Sequence, residues 1–138
     1  MITVSNLSKN YGNVKAVESI SFELKDGEVV GFLGANGAGK TTTLKMITGY
    51  LVPTNGEIKV NGLDIVDNTS EIQEMIGYLP ELNPLYTEMR VYDYLEFLGS
   101  IRNIKGSDFK QALSRVVDKC GLSGVVHKVI ADCSKGYK

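Results

Sequence analysis

The chain has 138 residues, 43% of them hydrophobic and 22% charged, and its formal net charge at pH 7 is −1. These values fit one globular domain with a core and argue against a broadly basic surface, so we expect no nucleic-acid partner. No run approaches the about 18 consecutive apolar residues of a membrane span. Because the N-terminus also lacks a basic start followed by an apolar core, we expect a cytosolic protein.

The first part of the chain predicts short antiparallel strands. Ile2 to Leu7 alternates loosely between apolar and polar residues, and Val14 to Val17 and Ile20 to Leu24 are further runs of strand-forming residues. Turn chemistry follows the first of these runs at Ser8 to Asn13 and the last at Lys25 to Gly27. A small antiparallel sheet therefore precedes the glycine-rich loop that follows, which is unlike a GTPase or a small-molecule kinase.

Residues 34–41 carry the sequence GANGAGKT, which fits the G-x-x-x-x-G-K-[ST] pattern of a phosphate-binding loop. The apolar run 29–33 before the loop predicts a buried parallel strand, and residues 41–48 after it predict a short helix. Strand, glycine loop and helix form the context that the pattern requires. A glycine-rich octapeptide can also arise by chance, but these flanking patterns favour a nucleotide-binding site.

The backbone of this loop can itself bind phosphate. Gly34, Gly37 and Gly39 carry no Cβ and can take positive φ. Successive N–H groups, including those of Asn36 and Ala38, can therefore curl around phosphate oxygens. The helix that follows adds free N–H groups and the positive end of its dipole.

Three side chains complete the predicted site. Lys40 supplies a full charge for the β- and γ-phosphates of a nucleotide. Thr41 is placed to hold Mg²⁺ through its hydroxyl, with water and phosphate oxygens filling the rest of the octahedral shell. Thr42 is a further hydroxyl within reach of the phosphates.

Beyond the loop helix, the chain predicts two more strands with a short helix between them. Glu57 to Val60 predicts a strand that ends in a hairpin-type turn at Asn61-Gly62. Asn68 to Glu74 predicts the short helix, and Met75 to Leu79 predicts a second core strand.

The remainder predicts mainly helices. Thr87 is expected to be the N-cap of a helix that runs to about Asn103. Ser107 is expected to cap another helix, which ends at Gly121.

Several separated segments, in register and across the whole chain, resemble the ATP-binding subunit of an ATP-binding-cassette (ABC) transporter. The segments that follow the opening of that family are residues 7–12 (LSKNYG), 16–22 (AVESISF), 27–34 (GEVVGFLG) and the phosphate loop. The segments most similar to exporters of the ABC-2 type, with the gliding-motility subset as the nearest match, are residues 48–50 (TGY), 76–81 (IGYLPE) and 83–86 (NPLY).

The resemblance implies an α/β fold. Residues 1–80 would form a P-loop NTPase (RecA-like) core with an antiparallel β-subdomain, and residues 81–138 the Q-loop region and an α-helical subdomain, incomplete at its C-terminus. The resemblance also implies ATP and Mg²⁺ as cofactors and, in the full-length protein, ATP hydrolysis coupled to transport across a membrane. The implied partners are a second ATP-binding subunit and a transmembrane permease that docks at residues 82–104, which would hold the protein at the inner face of the cell membrane.

Two positions acquire a base-binding role from the resemblance. Tyr11 matches the aromatic residue that stacks on adenine in the family, and Val17 matches the apolar residue beside the base and ribose. Without the resemblance, Tyr11 would be interpreted as an aromatic residue that closes a turn against the small sheet.

Three further positions carry an alternative beside the role that the resemblance implies. Glu81 stands where the family more often has a glutamine that touches Mg²⁺ and the attacking water, so it is a candidate catalytic and metal-site residue; a solvated loop carboxylate is the alternative. Ser134 and Gly136 resemble the start of the signature loop, LSGGQ, with Cys133 and Lys135 as departures. That loop contacts the γ-phosphate bound by the opposite subunit, whereas a frayed terminus is the alternative here.

Hydrolysis in this family needs an Asp-Glu pair after an apolar strand and a switch histidine later in the chain. No run of four apolar residues followed by Asp-Glu occurs in these 138 residues. We therefore expect the N-terminal part of a longer ATPase, cut inside the signature loop, which binds ATP without turnover. Two alternatives stay open: a non-transport ABC ATPase associated with ribosomes or DNA repair, and a nucleotide-binding regulatory module.

The two cysteines and the single histidine are interpreted from their number and spacing. Cys120 and Cys133 are too few and too isolated for a disulfide framework or a zinc site, so we expect free thiols. His127 is expected to be a surface or packing residue.

Overall fold

The computed structural model describes residues 1–80, 84–134 and 136–137 of the chain. The chain divides into two compact units, Met1–Leu79 and Pro80–Lys138. The first unit holds a β-sheet and two helices, and the second is built from helices and turns. The predicted α/β fold, with an antiparallel β-subdomain followed by a helical part, is confirmed.

An antiparallel sheet organises the first unit. Its strands are β1 (Ile2–Tyr11), β2 (Val14–Leu24), β3 (Asn55–Val60) and β4 (Leu63–Asp64). Their order across the sheet is β2-β1-β3-β4, so β1 has a paired neighbour on each side. The sheet therefore joins the strands that precede the glycine loop to strands that follow it.

β2 is one strand where the sequence predicted two. Its pairing with β1 is interrupted by register shifts, and Ser19 takes a φ of 47°. The Ser19 N–H donates to Ser8 Oγ at 2.9 Å, and the Asn6 N–H donates to Ser21 Oγ at 2.8 Å. Because side-chain hydroxyls accept from the N–H groups that leave the ladder, the strand can continue through these irregularities.

An apolar core lies between the sheet and the helices α1 (Lys40–Ile47) and α2 (Thr69–Met75). The buried cluster consists of Val4, Leu7, Val17, Met46, Ile47, Ile58, Val60, Ile65 and Ile72. Met46 and Ile47 are contributed by α1, so burial of these side chains holds α1 against the sheet. The loop that leads into α1 is fixed along with it.

The β3–β4 hairpin confirms the predicted turn. Asn61 and Gly62 take φ values of 51° and 85°, the positive pair that suits a two-residue hairpin loop. Within β3, Gly56 also requires glycine: its φ is 89°, and a Cβ there would lie 2.4 Å from the carbonyl oxygen of Asn6. That distance is too short for any side chain, so Gly56 permits β1 and β3 to approach.

Two predicted strands are wrong, because neither Val29 to Leu33 nor Met75 to Leu79 forms one. Val29 and Leu33 are almost fully exposed, with relative accessibilities of 102% and 93%. A strand is held by hydrogen bonds to a neighbouring strand, and within the described ranges no strand pairs with either run. The apolar pattern therefore predicts buried strands, but neither run has a described strand beside it with which to pair.

The second unit is built on two packed helices. They are α3 (Val91–Ile101) and α4 (Gly106–Lys119), and a short 3₁₀ helix, Ile130–Asp132, follows. At Gly99 a Cβ would lie 2.9 Å from Cδ2 of Phe109. The absence of a side chain at Gly99 therefore lets the Phe109 ring sit directly against the backbone of α3.

α3 begins at Val91, so the prediction that Thr87 caps it is wrong. The residues before α3 bond instead to the segment near the 3₁₀ helix. The Ile130 N–H donates to the Met89 carbonyl at 2.9 Å, and the Ala131 N–H donates to the Thr87 carbonyl at 2.9 Å. These bonds between distant segments hold the chain in a non-helical path until Val91.

α4 differs from the prediction at its start. It begins at Gly106, and the hydroxyl of Ser107, the predicted cap, lies 3.4 Å from a carboxylate oxygen of Asp108 instead. Gly121 ends the helix as predicted, with a φ of 64° and its N–H directed to the Asp118 carbonyl.

Candidate phosphate-binding site

The glycine loop leads directly into α1, whose first backbone donors have no partner within the helix. The first main-chain bond of the helix runs from the Thr43 N–H to the Gly39 carbonyl at 2.8 Å, and no side chain caps the helix. The N–H groups of Lys40, Thr41 and Thr42 therefore have no partner within the helix. Free donors and the positive end of the helix dipole together favour an anion here.

Two positions of the loop, 37 and 39, require glycine, and the surroundings of the two positions differ. Gly37 and Gly39 take φ values of 84° and 82°. At Gly37 a Cβ would meet nothing within 4 Å, whereas at Gly39 it would lie 2.3 Å from the carbonyl oxygen of Ala16 and 3.0 Å from Cγ2 of Val17. Gly39 is thus the point where the loop presses against β2, and Gly37 faces open space.

Lys40 places its charge inside the curl of the loop. Its Nζ donates to the carbonyl oxygens of Gly34 and Ala35, each at 2.7 Å. An ammonium group has three donors, so one remains for a ligand. The partners are carbonyl dipoles, and within the described ranges no carboxylate pairs with Lys40, which keeps its full charge for an anion.

Lys15, on the adjoining strand β2, is paired with a carboxylate, unlike Lys40. Lys15 donates to Glu18 at 2.5 Å, and this hydrogen bond, together with the charge of Glu18, raises the pKa of Lys15. Glu18 therefore compensates the charge of Lys15. Lys40 is the uncompensated cation at the loop.

The three threonines that open α1 have different environments. Thr43 is buried, and its hydroxyl donates to the Gly39 carbonyl at 3.0 Å, which ties the loop to the first turn of the helix. Thr41 is exposed and Thr42 half-buried, and in the part of the chain that the structure describes neither hydroxyl has a hydrogen-bond partner. Thr41 and Thr42 are therefore available to a ligand, whereas Thr43 serves the fold.

Tyr11 and Val17 lie on the hairpin formed by β1 and β2. Tyr11 pairs with Val14 at the end of the hairpin, and its side chain is 50% exposed. Val17 is 6% exposed and belongs to the core, where its Cγ2 adjoins Gly39. The structure therefore brings Val17 to the end of the loop and leaves the Tyr11 ring accessible.

The remaining predicted site residues lie elsewhere. Glu81 falls outside the described residues. Ser134 and Gly136 belong to the second unit, where Ser134 is exposed and its carbonyl accepts from the Tyr137 N–H at 3.0 Å. Gly136 thus lies in a turn close to the end of the chain.

Both cysteines are free thiols, as predicted, and His127 packs against an aromatic ring. Cys120 is exposed, Cys133 is buried, and both are free thiols. His127 stacks on Tyr92, with ring centroids 6.4 Å apart and an interplanar angle of 24°. His127 is therefore a packing residue of the second unit.

Residues 1–80, 84–134 and 136–137 contain neither a cluster of metal-binding side chains nor a membrane-spanning helix. No group of three or more His, Cys, Asp or Glu in these ranges could hold a metal ion. None of the helices that these residues form is long and apolar enough to cross a bilayer.

Comparison with known proteins shows which protein family this sequence matches. Residues 17–138 match the protein-family model described as ABC transporter. The chain is 37% identical over 135 residues to the uncharacterized ABC transporter ATP-binding protein MJ1023 of Methanocaldococcus jannaschii, covering 98% of this chain and 47% of that protein. It is 34% identical over 138 residues to the bacitracin transport ATP-binding protein BcrA of Bacillus licheniformis, covering 100% of this chain and 44% of that protein.

A solved structure gives the same result for the fold. The structure described as that of the ATP binding subunit of an ABC transporter superposes with a TM-score of 0.82 at 28% identity, over 97% of this chain and 56% of that one. The chain spans about half the length of the relatives compared, at 47% and 44%.

Proposed function

The chain belongs to the ABC transporter family, and from this membership we propose that residues 34–42 bind the triphosphate of ATP. The observation that carries the proposal is the arrangement around Lys40. Its charged Nζ donates to the loop carbonyls at 2.7 Å, and Lys40 begins a helix whose first N–H groups have no partner within the helix. Backbone donors, a dipole and a full charge converge on one exposed loop, which suits phosphate.

The proposed phosphate contacts fall on consecutive residues. Gly34, Asn36, Gly37 and Gly39 would direct N–H groups at phosphate oxygens, and a Cβ at Gly37 would meet nothing within 4 Å. The Ala38 N–H donates to the Ala35 carbonyl at 3.2 Å, so Ala38 would line the site beside these donors. Lys40 would hold the β- and γ-phosphates, and the hydroxyl of Thr42 would add a contact.

The residues present fit Mg²⁺ as the companion of the nucleotide. The Thr41 hydroxyl is exposed and has no partner among residues 1–80, 84–134 and 136–137, so it can serve as the protein ligand. One or two protein oxygens suffice, because Mg²⁺ keeps several waters and takes substrate phosphates. Glu81 is proposed as the second residue of this site. When bound, Mg²⁺ would neutralise charge that develops on the phosphates.

We propose that Tyr11 stacks on the adenine base and that Val17 borders the base and ribose. The accessibility of the Tyr11 ring and the position of Val17 beside Gly39 support this assignment. Stacking on an aromatic ring contributes about 1–3 kcal/mol per base. Residues 1–80 would then form the nucleotide-binding core, and residues 81–138 the Q-loop region and the helical subdomain.

In the full-length protein we propose that ATP hydrolysis drives transport across a membrane. Family membership and the name of the bacitracin transport relative support this role, and the ABC-2 exporter branch is the proposed subgroup. A second ATP-binding subunit would meet the nucleotide through Ser134 and Gly136, and a permease would dock at residues 82–104. That docking would hold the protein at the inner face of the cell membrane.

We further propose that the 138-residue chain binds ATP without turning it over. Its sequence contains no Asp-Glu pair after an apolar run, and hydrolysis in this family needs that pair. Transition-state charge would then lack the groups that stabilise it.

Calorimetric titration of the chain with MgATP tests the proposal, with Lys40→Ala as the test variant. Hydrogen bonds to charged groups contribute about 1.5–3 kcal/mol, so Kd should rise about 10- to 150-fold. Lys45→Ala is the matched control, because Lys45 is an exposed lysine in the last turn of the same helix, and it should bind like the unchanged chain. Equal losses in both variants would contradict a specific role for Lys40.

Phosphate release tests the absence of turnover. We expect the same background rate with and without Lys40→Ala. Robust Mg-dependent release that disappears in Lys40→Ala would show that the chain is a complete catalyst.

A further inference from the structure

Lys9 occupies a defined position beside the Tyr11 ring. Its Nζ lies over the ring, 5.6 Å from the centroid, and donates to the carbonyl oxygen of Val52 at 2.7 Å. The side chain is half-buried, in contrast to the exposed lysines on the neighbouring strands. One ammonium group therefore connects the Tyr11 ring to a segment more than forty residues further along the chain.

The segment that accepts from Lys9 is itself fixed to β1. The Thr54 N–H donates to the Ser8 carbonyl at 2.9 Å, and the Asn10 N–H donates to Thr54 Oγ1 at 3.0 Å. These bonds flank Lys9 along the strand. The Val52 carbonyl is therefore held near β1, and Lys9 is anchored rather than free to rotate.

We propose that Lys9 is a positioning residue for base recognition, which holds the Tyr11 ring from one face so that the other face is presented to adenine. This inference rests on the proposed stacking role of Tyr11. Lys9 acts through Tyr11 and makes no contact with the base. Its position on the strand also ties it to the phosphate site, because Lys9 pairs with Val17, which adjoins Gly39.

The physical basis is the attraction between an ammonium group and the face of an aromatic ring. The Tyr11 side chain is half-exposed, so without Lys9 it would sample several rotamers and lose that freedom only when the base binds. With Lys9 in place, part of this ordering precedes binding. The strength of such contacts at exposed sites corresponds to a change of about two- to fivefold in Kd.

The test compares ATP with inorganic tripolyphosphate, which has no base, by calorimetric titration of the full chain. Lys9→Met keeps the length and the apolar stem but removes the charge. We expect it to weaken ATP binding about two- to fivefold and to leave tripolyphosphate binding unchanged. Lys9→Arg should restore ATP affinity, because a guanidinium group also stacks on aromatic rings.

A second variant shows whether Lys9 acts through the ring. Tyr11→Leu removes the aromatic face and should weaken ATP binding more than Lys9→Met does. Adding Lys9→Met to Tyr11→Leu should then produce no further loss. Independent, additive losses would mean that Lys9 acts on the nucleotide directly, which would overturn the inference.

The remaining outcomes show which proposal fails, the positioning role of Lys9 or the phosphate site at residues 34–42. Equal loss of ATP and tripolyphosphate binding in Lys9→Met would reveal a general charge effect and overturn the inference. Tighter ATP binding in Lys9→Met would show that Lys9 covers the face that the base needs, with the same consequence. Failure of the unchanged chain to bind either ligand would instead overturn the proposed phosphate site and remove the premise for Lys9.

Discussion

The four-stranded sheet and the run Val29 to Leu33 are both rich in apolar residues, yet they have opposite environments. Leu7 in β1 is 0% exposed, whereas Leu33 is 93% exposed. β1 has hydrogen-bonded neighbours on both sides and is covered by residues of α1, while no described strand pairs with the run before the loop. The difference shows that apolar composition favours burial, but paired neighbours and a covering layer are needed to achieve it.

The largest expected effect is on the free energy of unfolding, and it tests this difference with one substitution at two places. Leu7→Ala should destabilise the chain by about 2–5 kcal/mol, because it removes a fully buried side chain and leaves a cavity. Leu33→Ala should change the unfolding free energy by no more than about 0.5 kcal/mol. Urea denaturation of both variants measures the contrast. Similar losses at the two positions would show that Leu33 is packed in solution.

The next effect concerns the junction between the loop and the sheet. Gly39→Ala and Gly37→Ala both place a side chain at positive φ, which costs about 1–2 kcal/mol. Only Gly39→Ala also overlaps Ala16, so it should lower the melting temperature and the ATP affinity more than Gly37→Ala. If Gly37→Ala is the more damaging in both measurements, the contact between Gly39 and β2 does not hold the loop.

At the exposed run Val29 to Leu33 we expect the smallest effect on the unfolding free energy and a measurable effect on self-association. An exposed apolar run without charge favours contact between chains, so the protein should self-associate as its concentration rises. Val29→Lys should reduce this association while leaving the unfolding free energy nearly unchanged, because Val29 is fully exposed. Light scattering over a concentration series provides the measurement. Glu28→Lys is a suitable control, because it adds positive charge beside the run without removing an apolar side chain.

The β3–β4 turn and the end of α4 were predictable because they depend on local backbone conformation. Asn61-Gly62 forms the expected hairpin turn, and Gly121 ends α4 as expected. The start of α3 was not predictable in the same way. Thr87 has the chemistry of an N-cap, but hydrogen bonding to the segment near residue 130 holds it outside the helix. No pattern within a few residues of Thr87 reveals that distant partner.

The candidate site likewise combines features that local sequence predicts with features that depend on distant residues. The spacing of glycines and Lys40 is enough to predict a phosphate loop, since the required torsions and the charge belong to the residues themselves. The approach of Gly39 to Ala16 and the anchoring of Lys9 on Val52 could not be predicted, because each joins residues more than twenty positions apart. The separate environments of Thr41 and Thr43 likewise follow from which side of α1 faces the core.

Residue type and spacing were therefore sufficient for the glycine loop, the helix after it, the antiparallel character of the sheet and the family resemblance. Contacts between distant parts of the chain decided that α3 starts at Val91 and that Lys9 is anchored over Tyr11. Val29 to Leu33 is not a strand because no described strand pairs with it. The physical reason is that a torsion or a periodic pattern is a property of neighbouring residues. A hydrogen-bond partner or a covering layer exists only once the folded chain brings remote residues together.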